Sequence, residues 1–236
     1  ELRNAAAGTA ETPAYYYLTQ DIRLTQGSWT PADCIVLDLN GYDVIQSGDT
    51  AVIELTGAFT LTDCKGLGGT FGKVTHAGEK AGNGVSMGSD GVFTMYGGAI
   101  SGNTAGDNGG GVFMGSSSGD FTMYGGTISG NTGHGVFMST SGLENKGTFT
   151  MHGGAVSGNT VDATNGGGVF VGSGRTFNLS GGDISGNNAA GKGGGVYIYN
   201  GSFTMTGGTI TGNNAAENGG GVFVNGAFKV SGNVQI

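Results

Sequence analysis

Cleaving a glycosidic bond needs two carboxylates about 5–9.5 Å apart, and residues 82–236 offer seven carboxylates: Asp90, Asp107, Asp120, Glu144, Asp162, Asp183 and Glu217. The chain repeats itself here, so an acid–base pair would have to occupy one phase of the repeat on adjacent turns. Asp120 and Asp183 each stand alone at their phase. Asp107 and Glu217 share a phase but lie four turns apart, about 19 Å at the spacing of paired strands. Arg175 is the single arginine of the repeats, and His76, His134 and His152 fall at three phases with no serine or cysteine recurring beside them. The calcium nonapeptide GGxGxDxUx is not met, because no aspartate recurs after the glycines. Neither the spacing nor the company of Cys34 and Cys64 is that of a zinc site. These residues predict no catalytic group, no metal site and no cofactor.

The elements that carry them are short and regular. Val85, Val112, Val136, Val169, Val196 and Val222 mark one phase; Phe93, Phe121, Phe149, Phe177, Phe203 and Phe228 mark a second. Ile100, Ile128, Val156, Ile184 and Ile210 follow the first five phenylalanines by seven residues, and Asn103, Asn131, Asn159, Asn187 and Asn213 follow by ten. Valine to phenylalanine varies from six to thirteen residues, so that link is a tolerant loop and the Phe-to-Asn segment a fixed corner. Each unit reads as three short strands of the type GVFM, FTMYG and TISG. Such strands cannot stand alone, and stacking each on its equivalent one turn away buries a continuous core. Parallel crossovers are almost always right-handed. The expected fold is all-β: a right-handed parallel β-helix of three sheets, about eight turns and roughly 40 Å long.

Glycine doublets from Gly97-Gly98 to Gly207-Gly208 sit where the chain turns from the second strand to the third, a corner suited to positive φ. The asparagine column is placed at the next corner, where Asn would take the left-handed conformation and its amides would bond up the stack. Residues 1–31, with Tyr15, Tyr16, Tyr17 and Trp29, are out of phase and are assigned to an N-terminal cap. Residues 32–81 are degenerate first turns. Placing Leu37 over Phe59 puts Cys64 over Tyr42 and Cys34 over Thr56, which predicts two buried free thiols and no disulfide. Residues 82–236 are the regular repeats, one continuous domain and expected to be a segment of a longer protein.

The formal charge is −8 with 11% charged residues and no basic cluster, which argues against nucleic acid or anionic lipid as partner. No run is long enough to span a membrane.

Two outward columns are the candidate binding residues. If Val and Met of the first strand point inward, the residue between them points outward. That places Phe113, Phe137, Phe170, Tyr197 and Phe223 on five successive turns, spanning about 19 Å, as an apolar track for a partner or a second copy of the rod. The second column is Tyr96, Tyr124 and His152, two residues after the phenylalanine, with rings that could stack on sugars or simply stabilise the sheet.

The units GGGVFM…FTMYGGTISGNT and GGGVYI…FTMTGGTITGNN resemble the β-helix repeats of large adhesin-like cell-surface proteins of Gram-positive gut bacteria, over roughly residues 15–236. Leu37–Gly41 and Thr60–Cys64 resemble the first turns that precede such repeats. More distantly, Gly97-Gly98-Ala99-Ile100 is similar to the GGAI motif of the chlamydial polymorphic outer-membrane proteins, whose companion FxxN motif is absent. The resemblance implies a secreted or surface-attached bacterial protein acting in adhesion, display or as a stalk, with a glycan or surface protein of host or microbe as partner. It brings no catalytic residues. The alternative is a polysaccharide-processing, pectin-lyase-like β-helix enzyme or a carbohydrate-binding module, since the fold alone does not decide function.

Overall fold

The computed structural model describes residues 2–65, 71–88, 90–115, 119–140 and 147–236. Parallel strands stack into a β-solenoid. Following the second strand of each turn, Ala14–Tyr17 pairs with Ile35–Asp38, then Ala58–Thr62, Val92–Met95, Phe121–Met123, Thr148–Met151, Thr176–Leu179, Val196–Met205 and Val222–Val230. Those eight steps make a rod of roughly 38 Å. The third strands form a separate eight-stranded sheet from Ile22–Leu24 to Thr209–Thr211. First and second strands belong to one seventeen-stranded sheet, because Val196–Met205 and Val222–Val230 run through the corner between them.

The core is a set of columns. Phe59, Phe93, Phe121, Phe149, Phe177, Phe203 and Phe228 stack inside, with centroids 4.7–4.9 Å apart from Phe93 upward and 6.1 Å for the first pair. Trp29 closes the lower end edge-on against Phe59. The inward pairs of the first strand, from Val85 and Met87 to Val196 and Ile198, and Ile or Val of the third, from Ile100 to Ile210, are fully buried. Period-two alternation places these residues inside and Thr, Ser and aromatic residues outside.

The corners are built as expected in one case and differently in another. The second glycine of each doublet has φ between +82 and +90 (Gly98, Gly126, Gly154, Gly182, Gly208). A Cβ on Gly126 would lie 2.6 Å from Gly98 O and 2.7 Å from Met95 Cε, so both dihedral and space require glycine there. The asparagines, by contrast, are not left-handed. The glycine before each one is, with φ of +60 to +67 at Gly102, Gly130, Gly158, Gly186 and Gly212. That glycine turns the Asn side chain inward, where Asn103, Asn131, Asn159 and Asn187 are at most 2% exposed.

Three further expectations are corrected. The solenoid starts inside the segment assigned to the cap: Ala14–Tyr17 and Ile22–Leu24 pair in register, and Trp29 bridges to Ile53. The cover is the shorter stretch before residue 14, where Leu2 packs on the core and its carbonyl accepts a hydrogen bond from Trp29 Nε1. The first turns sit two residues away from the expected register, with Ile35 over Phe59 and Leu37 over Leu61. Both have the size and parity to fill that column, so composition did not distinguish them. The cysteines are free but not buried, Cys64 being exposed and Cys34 intermediate. Both occupy turns, Cys34 with φ +54, and their thiol pKa values are raised: Cys34 by partial desolvation and Asp33, Cys64 by its bond to Asp38 and by desolvation. The longest Val-to-Phe link runs from Val136 to Phe149; a link of that length should protrude at 139–148, and that stretch lies mostly outside the described residues.

Candidate functional site: two aromatic ladders on the outer faces

The first ladder has the predicted parity. Phe113, Phe137, Phe170, Tyr197 and Phe223 pair in register, the first four between buried neighbours and Phe223 between the partly buried Val222 and the exposed Val224, and none belongs to the interior cluster. Successive centroids are 5.9, 4.9, 5.2 and 5.5 Å apart. The track is nevertheless half-covered, and Tyr197 is only 8% exposed. Flanking glycines, having no side chains, would be expected to leave the rings open. They do the reverse. The glycine-rich link before each valine lies back over the column, so a Cβ on Gly166 would sit 3.1 Å from Phe170 Cβ and one on Gly219 2.9 Å from Phe223 Cβ. Without side chains the backbone itself is the cover. Desolvation, then the neighbouring Tyr199, raises the Tyr197 phenol pKa.

His134 is the irregularity in this cover. Register sets it opposite Gly110, at the centre of a glycine triplet, and its turn runs from Asn131 to Val136 in five residues where Asn103 to Val112 takes nine. The ring lies in that shortened link against Phe137 (4.7 Å) and Phe170 (5.6 Å). Nε2–H donates to Asn165 O at 2.9 Å, while the buried Nδ1 has no partner. Burial pushes its pKa down to about 4, the bond to Asn165 opposing. This histidine is a neutral filler of the ladder.

The second ladder is open. Tyr96 is 56% and Tyr124 47% exposed, and His152 completes the stack at 4.9 Å per step. Ser180 Oγ donates to Met151 O, so it accepts from His152 Nδ1, leaving Nε2 as an outward acceptor. The rings stack within 17° of parallel along the rod axis. Their faces are therefore used on one another and their edges meet solvent. That geometry opposes sugar stacking by the inner rings and leaves edge contacts and the Tyr hydroxyls.

The charged groups near the ladders are few and locally paired. Arg175 is buried at a corner as a staple, Nε donating to Ser139 O and a terminal nitrogen to Gly115 O two turns below, and burial lowers its pKa. Lys192 bridges to Glu217 at 3.6 Å and lies over Phe223. Among the described residues no three of His, Cys, Asp and Glu converge as metal ligands. No described helix is long and apolar enough to cross a membrane.

The asparagine amides bond up the stack as the sequence suggested, but the column lies inside the solenoid. Asn103 Nδ2 donates to Asn131 Oδ1, Asn131 to Asn159, Asn159 to Asn187 and Asn187 to Asn213, each at 2.9–3.0 Å. His76 continues it downward by its bond to Asn103, and Gln46 lies in register below, its amide bonded instead to Gly27 O, Thr50 Oγ1 and Gly48 N. In those turns the corner is one residue shorter, Val74-Thr75-His76 against Ile100-Ser101-Gly102-Asn103, and a longer side chain covers the distance. The missing glycine was the available signal. Comparison with protein-family models, curated proteins and solved structures finds no match to this chain.

Proposed function

We propose that this chain is a non-catalytic, rigid β-helix rod of a bacterial surface protein, serving to hold a binding function away from its attachment point. The observation that supports this most is the continuity of its columns. The phenylalanine stack and the carboxamide ladder run through successive turns without a break, so bending any turn against the next would open buried hydrogen bonds and ring contacts. The outer ladders spend their ring faces on self-stacking, which favours stiffness over ligand capture as their main role. The edge of the Tyr96–Tyr124–His152 column, the open one, is the adhesive strip in this reading. A screen of the chain against glycans and mucins, with turnover assayed on the same polysaccharides, tests it. Weak or no binding to most glycans, no turnover, and any binding lost in Tyr96→Ser/Tyr124→Ser are expected. Cleavage of any polysaccharide would replace this reading by the enzymatic one.

A further inference from the structure

The carboxamide ladder has a direction, and that direction fixes what its lowest member must be. From Asn131 upward, each Oδ1 accepts from both the backbone N–H and the Nδ2–H of the asparagine below. Asn103 donates through Nδ2 to Val74 O at 3.1 Å and to Asn131 Oδ1 at 3.0 Å, so both of its N–H bonds are committed. The atom it turns to His76 is therefore Oδ1, an acceptor, 2.8 Å from Nδ1. On the other side of the ring, Nε2 lies 2.7 Å from the carbonyl of Thr50, which also can only accept. The ring is 6% exposed, and Gly82 packs so closely that a Cβ there would lie 2.7 Å from Nε2. A neutral imidazole carries a lone pair on one nitrogen. Either tautomer would aim that lone pair at an oxygen within hydrogen-bond distance, in a place with no room to turn away.

We propose that His76 is held as an imidazolium with both ring nitrogens donating, a cationic clasp that ties the foot of the ladder to the 47–51 turn and that opens when it loses a proton. The charged groups facing this corner are Asp49 and Lys80. Asp49 accepts from Ala81 N at 3.1 Å and pairs with Lys80 Nζ at 3.3 Å. Its pKa is lowered by the Ala81 bond first and by Lys80, with His76 a further contributor. Gln46, Thr50, Gly82 and Asn103, the other neighbours, are neutral. Asp49 is thus the counter-charge and Lys80 the cation competing for it. The clasp acts oppositely to His134, which stays neutral.

The test is nitrogen NMR of the full chain labelled in its histidines, at neutral pH. His76 should show a directly bonded proton on each ring nitrogen, and His134 in the same spectrum a proton on Nε2 alone. A bare nitrogen on His76 would overturn the proposal. His76→Asn and His76→Gln assign the signal and supply a second readout, limited proteolysis at the 47–51 turn. In wild type, cleavage there should rise at least several-fold from neutral to alkaline solution after correction on an unstructured peptide of the same sequence. In either variant the corrected rate should not change with pH. Equal pH dependence in wild type and variants would also overturn it, and if the variants fail to fold the spectrum of the wild type decides.

Discussion

Removing one asparagine from the middle of the ladder should cost far more than its size suggests. Asn159 is fully buried. Its Oδ1 accepts from Asn131 N at 3.1 Å and Asn131 Nδ2 at 2.9 Å, and its Nδ2 donates to Ile128 O at 3.0 Å and Asn187 Oδ1 at 2.9 Å. Asn159→Ala strands two buried donors on Asn131 and one carbonyl on Ile128. Each orphaned group costs roughly 1–3 kcal/mol, and partial repair by an entering water lowers the sum, so the expected loss is about 4 kcal/mol. Asn159→Asp keeps the acceptor but points a carboxylate at Ile128 O and Asn187 Oδ1, and it should be worse. Thr150→Ala, on the outer face one strand away, should stay within about 0.5 kcal/mol. Urea unfolding followed by circular dichroism and by Trp29 fluorescence supplies both the numbers and a check on cooperativity, since Trp29 reports the first turn and the dichroism all of them. Solenoid stability is nearly a sum of neighbour terms, so coincident curves are themselves informative. A loss below about 1 kcal/mol for Asn159→Ala would refute the ladder's energetic role.

Acid should weaken the chain through His134. Its pKa falls from 6.5 to about 4 on folding, so its contribution is complete above pH 6.5 and is lost as pH drops through 4, about 3 kcal/mol in all. His134→Gly, restoring the glycine column, should flatten stability across that window in urea titrations at several pH values. Phe137→Ser/Phe170→Ser should cost about 1–2 kcal/mol per site because the rings are half-buried, against about 3–5 for Phe149→Ala inside. Equal losses, measured as above, would mean the outer ladder is core. Gly126→Ala and Gly130→Ala both force alanine to positive φ, but only the first meets atoms below 3.0 Å. Thermal melts should show roughly 1–2 kcal/mol for Gly130→Ala and clearly more for Gly126→Ala.

The architecture was legible because it rests on residues that repeat. Phe93 to Phe228 announced one internal stack, and the doublets announced one corner. What was not legible lies where a single residue substitutes for a group elsewhere in the repeat. Ile35 and Leu37 do the work of Phe and Met with different volumes, which hid the register of the first turns. His76 reaches the position of Asn103 from a corner lacking the glycine, so phase counting put it elsewhere. The cover over the first aromatic ladder is backbone, which has no sequence signature beyond the flanking glycines. His134 was counted by phase as one of three unrelated histidines, although the short Asn131–Val136 link marked it as different.

Consecutive, registered turns imply a straight, stiff rod. Tyr15 and Thr204 share one outer column, seven strand steps apart, which places them roughly 34 Å apart. Tyr15→Cys/Thr204→Cys in a Cys34→Ser/Cys64→Ser background, spin-labelled and measured by double electron–electron resonance, reads that separation directly. A single narrow distribution centred on the rod distance plus the label arms is predicted. A broad or shorter distribution would contradict the rod.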